Sequence, residues 1–141
     1  MFTEVIENPD TPLYILENIA NSKEEYFRKY VAESPRLSVK SLRKLASEDN
    51  LKIDDHLARN PSVPQEILRK LADKNNKHIN ISLAQNLNLP LDILDRFANH
   101  KCLNLYSIER WLCSEIRDFA KETLKNLKIK STKIKYYYSF T

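Results

Sequence analysis

Apolar residues recur along this chain at a constant offset of 26 residues. One position of each copy is always leucine, at Leu16, Leu42, Leu68 and Leu94. A second position is always alanine, at Ala20, Ala46, Ala72 and Ala98. Pairs of small or branched residues make a third row, at Val31-Ala32, Leu57-Ala58 and Leu83-Ala84, and a polar row holds Asn8, Ser34, Asn60 and Asn86. A repeat of this length predicts one supersecondary unit per copy, stacked on its neighbours.

The first part of each copy predicts a short amphipathic helix. In the third copy, Ile67, Leu68, Leu71 and Ala72 fall on one apolar stripe. Pro64 suits the first turn, where a missing N–H costs nothing. We expect this longer helix to span about nine or ten residues, which is too short to be stable without packing.

The second part of each copy has room for a helix of only a turn or two. Ile53 precedes Leu57-Ala58 at a helical spacing, and the segment could be α or 3₁₀. The Asn-Pro step ends it, because the residue before proline avoids the helical region. Polar turns link the two parts, and we expect their Asn and Asp residues to take conformations usually left to glycine, which is absent.

These patterns predict an all-α fold, a right-handed α-solenoid of about four 26-residue repeats that forms a single domain over residues 1–127. The repeats lie near 5–30, 31–56, 57–82 and 83–105, with residues 1–7 as an N-terminal cap. Residues 106–127 form a C-terminal cap that contains a helix from about 113 to 126, and 128–141 are a basic, aromatic tail.

The stretch from Asn60 to Ala72 and the stretch from Asn86 to Ala98 resemble the leucine-rich repeat variant family, as does the turn Asn8-Pro9-Asp10-Thr11-Pro12. The resemblance implies a HEAT-like solenoid and no common catalytic residue or ligand. Ser34 and Leu87 depart from the family's Asn-Pro turn, and only Arg28 keeps the arginine of its short segment. No iron–sulfur cluster is expected, since the iron–sulfur segment found beside such repeats in at least one relative has no counterpart here.

The composition of the chain excludes several classes of function. The absence of glycine excludes glycine-rich phosphate loops and dinucleotide fingerprints. Neither a signal peptide nor an apolar run long enough to span a membrane is present, so we expect a cytoplasmic protein with Cys102 and Cys113 reduced. Acidic side chains predominate in residues 1–28 and basic ones after residue 105, which argues against a uniformly basic nucleic-acid binder.

No motif indicates an enzyme, a metal site or a cofactor. His56, His78 and His100 are spaced by 22, which differs from the repeat, so we expect them not to share one face. Cys102 and Cys113 are expected to be small hydrophobic residues rather than catalytic thiols. Carboxylates such as Asp54 and Asp55 are expected to be solvated turn residues without perturbed pKa values.

The second segment of each copy is the candidate protein-binding face. Its residues vary while the apolar rows stay constant, as expected of a recognition surface, and comprise Arg28, Lys29, Tyr30, Asp54, Asp55, His56, Asn80, Ile81 and Ser82. Stacking of copies also predicts ion pairs between Arg28-Lys29 and Asp54-Asp55. The sequence therefore predicts a non-enzymatic protein-interaction module or scaffold whose partner is another protein, with no small-molecule substrate and no membrane contact.

A nucleic-acid-binding protein is the alternative. Outward positions of neighbouring longer helices carry a candidate phosphate-contacting ridge of Lys40, Arg43, Lys44, Arg69, Lys70 and Arg96. The basic, aromatic tail at 128–141 could add stacking on bases. Glu17, Glu66, Asp92 and Asp95 interrupt the ridge, which favours a solvated charged face instead.

Overall fold

The computed structural model describes residues 2–99 and 114–127, with side chains from residue 4 onward in those ranges. This part of the chain is all helical and contains no strand. Its helices are α1 (Phe2–Glu7), α2 (Leu13–Ala20), α3 (Glu25–Val31), α4 (Val39–Ala46), α5 (Leu51–Arg59), α6 (Gln65–Asp73), α7 (Lys77–Gln85), α8 (Leu91–Ala98) and α9 (114–127). The tail, His100, Cys102 and Cys113 lie outside the described residues.

Helices that are neighbours in sequence, or one repeat apart, pack on one another. Helix α2 contacts α3 and α4, α3 contacts α5, and α5 contacts α7. Within successive copies, α4 packs on α5 and α6 packs on α7. The helices α3, α5 and α7 thus form one continuous series.

The predicted apolar rows are buried in a single hydrophobic cluster that extends from Ile6 to Ala120. All four leucines of the first row, Leu16, Leu42, Leu68 and Leu94, are 0% exposed. The pairs at Val31, Leu57 and Leu83 are equally buried. A further buried row consists of Leu37, Val63 and Leu89, which belong to the same hydrophobic cluster. Each lies three residues after the polar row position of its copy.

The predicted contrast between a longer and a shorter helix in each copy is wrong. Helices α5 and α7 have nine residues each, as many as α6 and one more than α2, α4 and α8, whereas α3 has seven. Both α5 and α7 are α-helical rather than 3₁₀. Their length comes from asparagine N-caps. The Asn50 side-chain oxygen accepts from the backbone N–H of Lys52 and Ile53, and Asn76 does the same one repeat later, so the helices begin two residues before Ile53 and Ile79.

The turns before these helices confirm the expected role of Asn and Asp. Asp49 has a φ of 52° and Asn75 a φ of 51°, in the left-handed region. Both side chains are short and polar, and such residues tolerate this conformation better than bulky ones. A chain without glycine can therefore reverse direction between its helices.

Buried asparagine side chains connect the successive turns that begin at Ser34, Asn60 and Asn86, and we call this series the asparagine ladder. The Nδ2 atom of Asn60 donates to the carbonyl oxygens of Ala32 and Ser34 at 2.7 and 2.8 Å. Asn86 repeats the arrangement with Ala58 and Asn60, at 2.7 and 3.1 Å. Both asparagines are at most 5% exposed, so these bonds satisfy carbonyl groups that water cannot reach.

Candidate functional site

The structure divides the predicted protein-binding face into buried and accessible residues. Asp54, Asn80 and Ser82 are buried, so they cannot take part in an exposed surface as predicted. Ile81 is partly buried and packs against the core. Asp54 and Asn80 occupy one repeat position that faces inward, and Ser82 is covered by α5, where its Oγ donates to Asp55 at 2.7 Å.

Arg28 belongs to the inner side of α3 rather than to the face. Its Nε donates to Glu48 at 3.0 Å, and its Nη1 donates to the carbonyl oxygens of Ser22 and Lys23 at 2.7 and 2.8 Å. The predicted pairing of Arg28 with Asp54 is wrong, because Arg28 instead pairs with Glu48, which lies in the turn before α5.

The residues one repeat after Arg28 and Glu48 are Asp54 and Lys74, and they form an ion pair in which the acidic and basic positions are exchanged. Asp54, which is 0% exposed, accepts from Lys74 Nζ at 2.6 Å, and Lys74 also donates to the exposed Asp49. Burial raises the pKa of Asp54 despite the opposing effect of Lys74, which corrects the expectation of a solvated carboxylate in a turn. Burial disfavours the charge on Lys74, but hydrogen bonds to Asp49 and Asp54 outweigh it and raise its pKa.

The remaining predicted residues do come together on the accessible side of α3 and α5. The Lys29 ammonium lies 4.8 Å from the ring centroid of Tyr30 and 5.2 Å from that of Tyr26. The Tyr30 ring meets the His56 ring edge to face, with centroids 5.3 Å apart. This arrangement places a cation over two aromatic faces, a stabilising contact at exposed sites.

A cavity of about 350 Å³ opens beside this cluster. It is lined by Lys29, Leu51, Lys52, Asp55, His56, Asn76, His78 and Ile79. We define the α3–α5 face as Tyr26, Lys29, Tyr30, Lys52, Asp55, His56 and His78. The cavity gives this face a concave centre between α5 and its neighbours.

The expectation that the histidines do not share a face is wrong for His56 and His78, which line the same cavity. A spacing of 22 is one 26-residue repeat less about one helical turn. Positions related in this way lie diagonally across two neighbouring helices. The third histidine, His100, lies outside the described residues.

Asp55 is held in place by its neighbours. Its Oδ2 accepts from Arg59 Nη2 at 2.6 Å, and its Oδ1 accepts from Ser82 Oγ at 2.7 Å. Both carboxylate oxygens are thus engaged, which does not suit a general base. Within residues 2–99 and 114–127, no group of three or more His, Cys, Asp or Glu side chains is placed to hold a metal ion.

Sequence reasoning missed Tyr26, Lys52 and His78, although all three occupy one position of the repeat. That position precedes Tyr30 and His56 by four residues, and residues four apart lie on the same side of a helix. The 26-residue repeat, combined with this helical spacing, could therefore have identified these three residues.

Two residues of the basic ridge, Arg43 and Arg69, pair with carboxylates from the next copy. Arg43 Nη2 donates to Glu66 at 2.9 Å, and Arg69 donates to both oxygens of Asp92 at 2.6 and 2.8 Å. The guanidinium of Arg69 holds the pKa of Asp92 below its usual range. Lys44 donates to the side chain of Asn21, and Arg96 lies 5.7 Å from the Phe97 ring centroid. Phosphate binding at Arg43 or Arg69 would have to displace these carboxylates.

A comparison of the chain with models of known protein families, with curated protein sequences and with solved structures found no match. The resemblance to the leucine-rich repeat variant family therefore stays a prediction. Across the described helices, none combines the length and apolar character that crossing a membrane requires.

Proposed function

We propose that this chain is a right-handed α-solenoid of about four repeats that binds another protein through the α3–α5 face. The asparagine ladder supports the solenoid, since its bonds join turns 26 and 28 residues apart and repeat from one copy to the next. Stacked repeats of this kind commonly present extended surfaces to partners.

The observation that carries the binding proposal is the aromatic and cationic cluster at the cavity. Tyr26 is 54% exposed, although it contacts the rings of Phe27 and Tyr30 at centroid distances of 5.7 and 4.9 Å. Tyrosines beside a cavity are typical of protein interfaces, because they bury a large apolar area at little entropic cost. Catalysis is not part of the proposal, as the Asp55 carboxylate is fully engaged.

The charges of the cavity favour a partner segment that carries an acidic side chain. Lys29, Lys52, His56 and His78 line the cavity, against the single carboxylate of Asp55. Lys52 donates to Glu25 at 3.0 Å and His56 contacts Glu33 at 2.9 Å, whereas Lys29 lies over tyrosine rings. Lys29 is therefore the cation best placed to meet a carboxylate of the partner.

Site-specific photo-crosslinking tests the proposal. A photoreactive phenylalanine analogue replaces Tyr26 in one variant and Tyr14 in the other, which is 65% exposed on α2 and serves as the matched control. Cells that express each variant are irradiated, and adducts are resolved by mass. We expect a discrete adduct from position 26 and none from position 14.

A Lys29→Glu substitution in the Tyr26 variant should abolish that adduct. Equal adducts from both positions, or an adduct that is insensitive to Lys29→Glu, would contradict the proposed face. No adduct from either position would contradict protein binding at this face.

A further inference from the structure

The asparagine ladder is interrupted at its first step, and a second cavity lies there. Ser34 occupies the position that Asn60 and Asn86 hold in later copies. The cavity has a volume of about 440 Å³ and is lined by Ile6, Glu7, Tyr30, Glu33, Ser34, Pro35 and Arg36. It lies apart from the 350 Å³ cavity of the α3–α5 face and shares none of its lining residues.

The shorter side chain of Ser34 explains the interruption. An asparagine amide at this position would reach the preceding turn, as Asn60 and Asn86 do. The Ser34 hydroxyl does not, and its Oγ is a buried polar atom without a hydrogen-bond partner, in a residue that is 3% exposed. An unsatisfied buried polar atom is costly, and it is rare in native structures unless a ligand or water meets it.

Arg36 takes over part of the missing function. Its Nη1 donates to the Asn8 carbonyl oxygen at 2.9 Å, and its Nη2 donates to that of Thr11 at 2.6 Å. The guanidinium is thereby directed onto the backbone at one wall of the cavity. It leaves Ser34 unpartnered.

The other walls favour a positive charge. Glu7 and Glu33 contribute two carboxylates, and one oxygen of Glu33 also contacts His56 at 2.9 Å. The one guanidinium at this cavity, that of Arg36, is already bonded to carbonyl oxygens. Ile6 and Glu7 are the last two residues of α1, where carbonyl groups lack partners within the helix. Tyr30 adds an aromatic ring, and because Lys29 already lies 4.8 Å from its centroid, the ring contributes apolar surface rather than a cation site.

We infer that this cavity binds an alkylammonium group, such as a lysine side chain of a protein or a small free amine. The ammonium donates to the carboxylates of Glu7 and Glu33 and, once the buried Ser34 side chain turns toward the cavity, to Ser34 Oγ, and its alkyl chain lies along Ile6 and Pro35. Three donors on one ammonium match a site that is rich in acceptors. Tyr30 belongs both to this cavity and to the α3–α5 face, but the inference does not require that a protein binds at that face.

Titration of the ¹⁵N-labelled protein with n-butylammonium chloride, followed by NMR, tests the inference. The neutral isostere butan-1-ol and the anion butyrate serve as matched probes. We expect saturable shift changes at Glu7, Ser34 and Arg36 with butylammonium only. A peptide with one lysine and blocked termini then distinguishes a protein side chain from a free amine as the source. Equal responses to butylammonium and butan-1-ol, or none to butylammonium, would overturn the inference.

Two variants test the assignment of residues. Ser34→Asn places the missing amide into the cavity, and we expect it to weaken butylammonium binding at least about tenfold. Glu7→Gln keeps the shape, removes one charge and should weaken binding by a similar factor. Lys70→Glu, at an exposed residue of α6 that lines neither cavity, is the control and should leave the affinity unchanged. Unaltered affinity in both Ser34→Asn and Glu7→Gln would overturn the site.

Discussion

The side-chain hydroxyl of Thr123, in α9, donates to the carbonyl oxygen of Ala84 at 2.7 Å, across 39 residues of sequence. Ala84 follows Ala32 and Ala58 in the repeat, and the carbonyl groups of those two residues accept from Asn60 and Asn86. The next position of the asparagine row is Leu112, which has no polar side chain to donate. Thr123 therefore satisfies the carbonyl group of Ala84, and α9 meets the ladder at its last position.

Thr123→Val should remove this bond while preserving the shape of the side chain. The residue is 6% exposed, so the Ala84 carbonyl oxygen would be left unsatisfied, and we expect a loss of about 1–3 kcal/mol in the free energy of unfolding. Urea denaturation followed by circular dichroism measures it. Thr123→Ser keeps the hydroxyl and should lose less; an equal loss in both variants would show that the methyl group, not the bond, matters.

Asn60→Ser reproduces in the middle of the ladder the interruption found at Ser34. The buried carbonyl group of Ala32 would lose the Asn60 donor, while that of Ser34 keeps the N–H of Leu37, and we expect a cost of about 1–3 kcal/mol in the free energy of unfolding. Chemical denaturation gives this value. Asn99→Ser, at an exposed asparagine, is the matched control and should change stability by less than about 0.5 kcal/mol. Similar values for both variants would argue against the ladder as a stabilising element.

Leu68→Ala should cost about 2–5 kcal/mol in the free energy of unfolding, because it empties a fully buried position in the row of leucines. Ala72→Leu at a neighbouring buried position should cost about 1–3 kcal/mol through overpacking. Leu91→Ala, at a side chain that is 62% exposed, is the control. A loss at Leu68 no larger than that at Leu91 would refute the assigned repeat register.

Lys74→Met should leave Asp54 buried without its cation. We expect a loss of about 3 kcal/mol in the free energy of unfolding at neutral pH, the low end for a broken buried pair, because Lys74 is partly exposed. Asp49→Asn, which removes only the exposed partner of Lys74, is the control and should cost little.

The pH dependence of this variant has a defined sign. Asp54 has a folded-state pKa above its ordinary value, so its ionisation opposes folding as the pH rises from that ordinary value through the raised one. Removal of Lys74 raises the pKa of Asp54 further. The cost of Lys74→Met should therefore shrink as the pH falls toward about 4 and Asp54 takes up a proton. Denaturation curves between pH 7 and 4 measure the trend; a constant cost would refute the pairing.

The basic ridge should bind nucleic acid weakly. Arg43 and Arg69 already pair with Glu66 and Asp92, so a duplex gains few phosphate contacts. Fluorescence anisotropy with labelled duplex DNA should show little binding at moderate salt. Replacement of Arg43, Arg69 and Lys70 by glutamine should leave that binding unchanged. Tight binding that weakens steeply with salt and is lost in the triple variant would instead favour the ridge as a phosphate-binding surface.

Much of the helical organisation could be read from the repeat. The interval between the leucines predicted which side chains are buried, because a constant spacing of apolar residues leaves one consistent way to remove them from water. The closing helix was predicted for about 113 to 126, and the described part of it runs over 114–127. The lengths of α5 and α7 were misjudged because the capping role of Asn50 and Asn76 was not recognised.

The candidate face was predicted less well, and for a geometric reason. Lys29, Tyr30, Asp55 and His56 were identified because they vary between copies. Variation alone does not distinguish a solvent-facing position from one that holds a buried charge, as Asp54 does. Tyr26 and His78 join the face through helical turns and through packing between neighbouring helices.

The sequence by itself determined that the chain is helical, which apolar residues are buried, and where its turns lie. Those properties depend on local periodicity and on the cost of exposing apolar surface, both of which act along the chain. Only the tertiary structure decided which polar groups meet: Asn60 with Ala32, Arg28 with Glu48, and Lys74 with Asp54. Hydrogen bonds and ion pairs depend on distances of a few ångströms between separate helices, and residue spacing does not specify them.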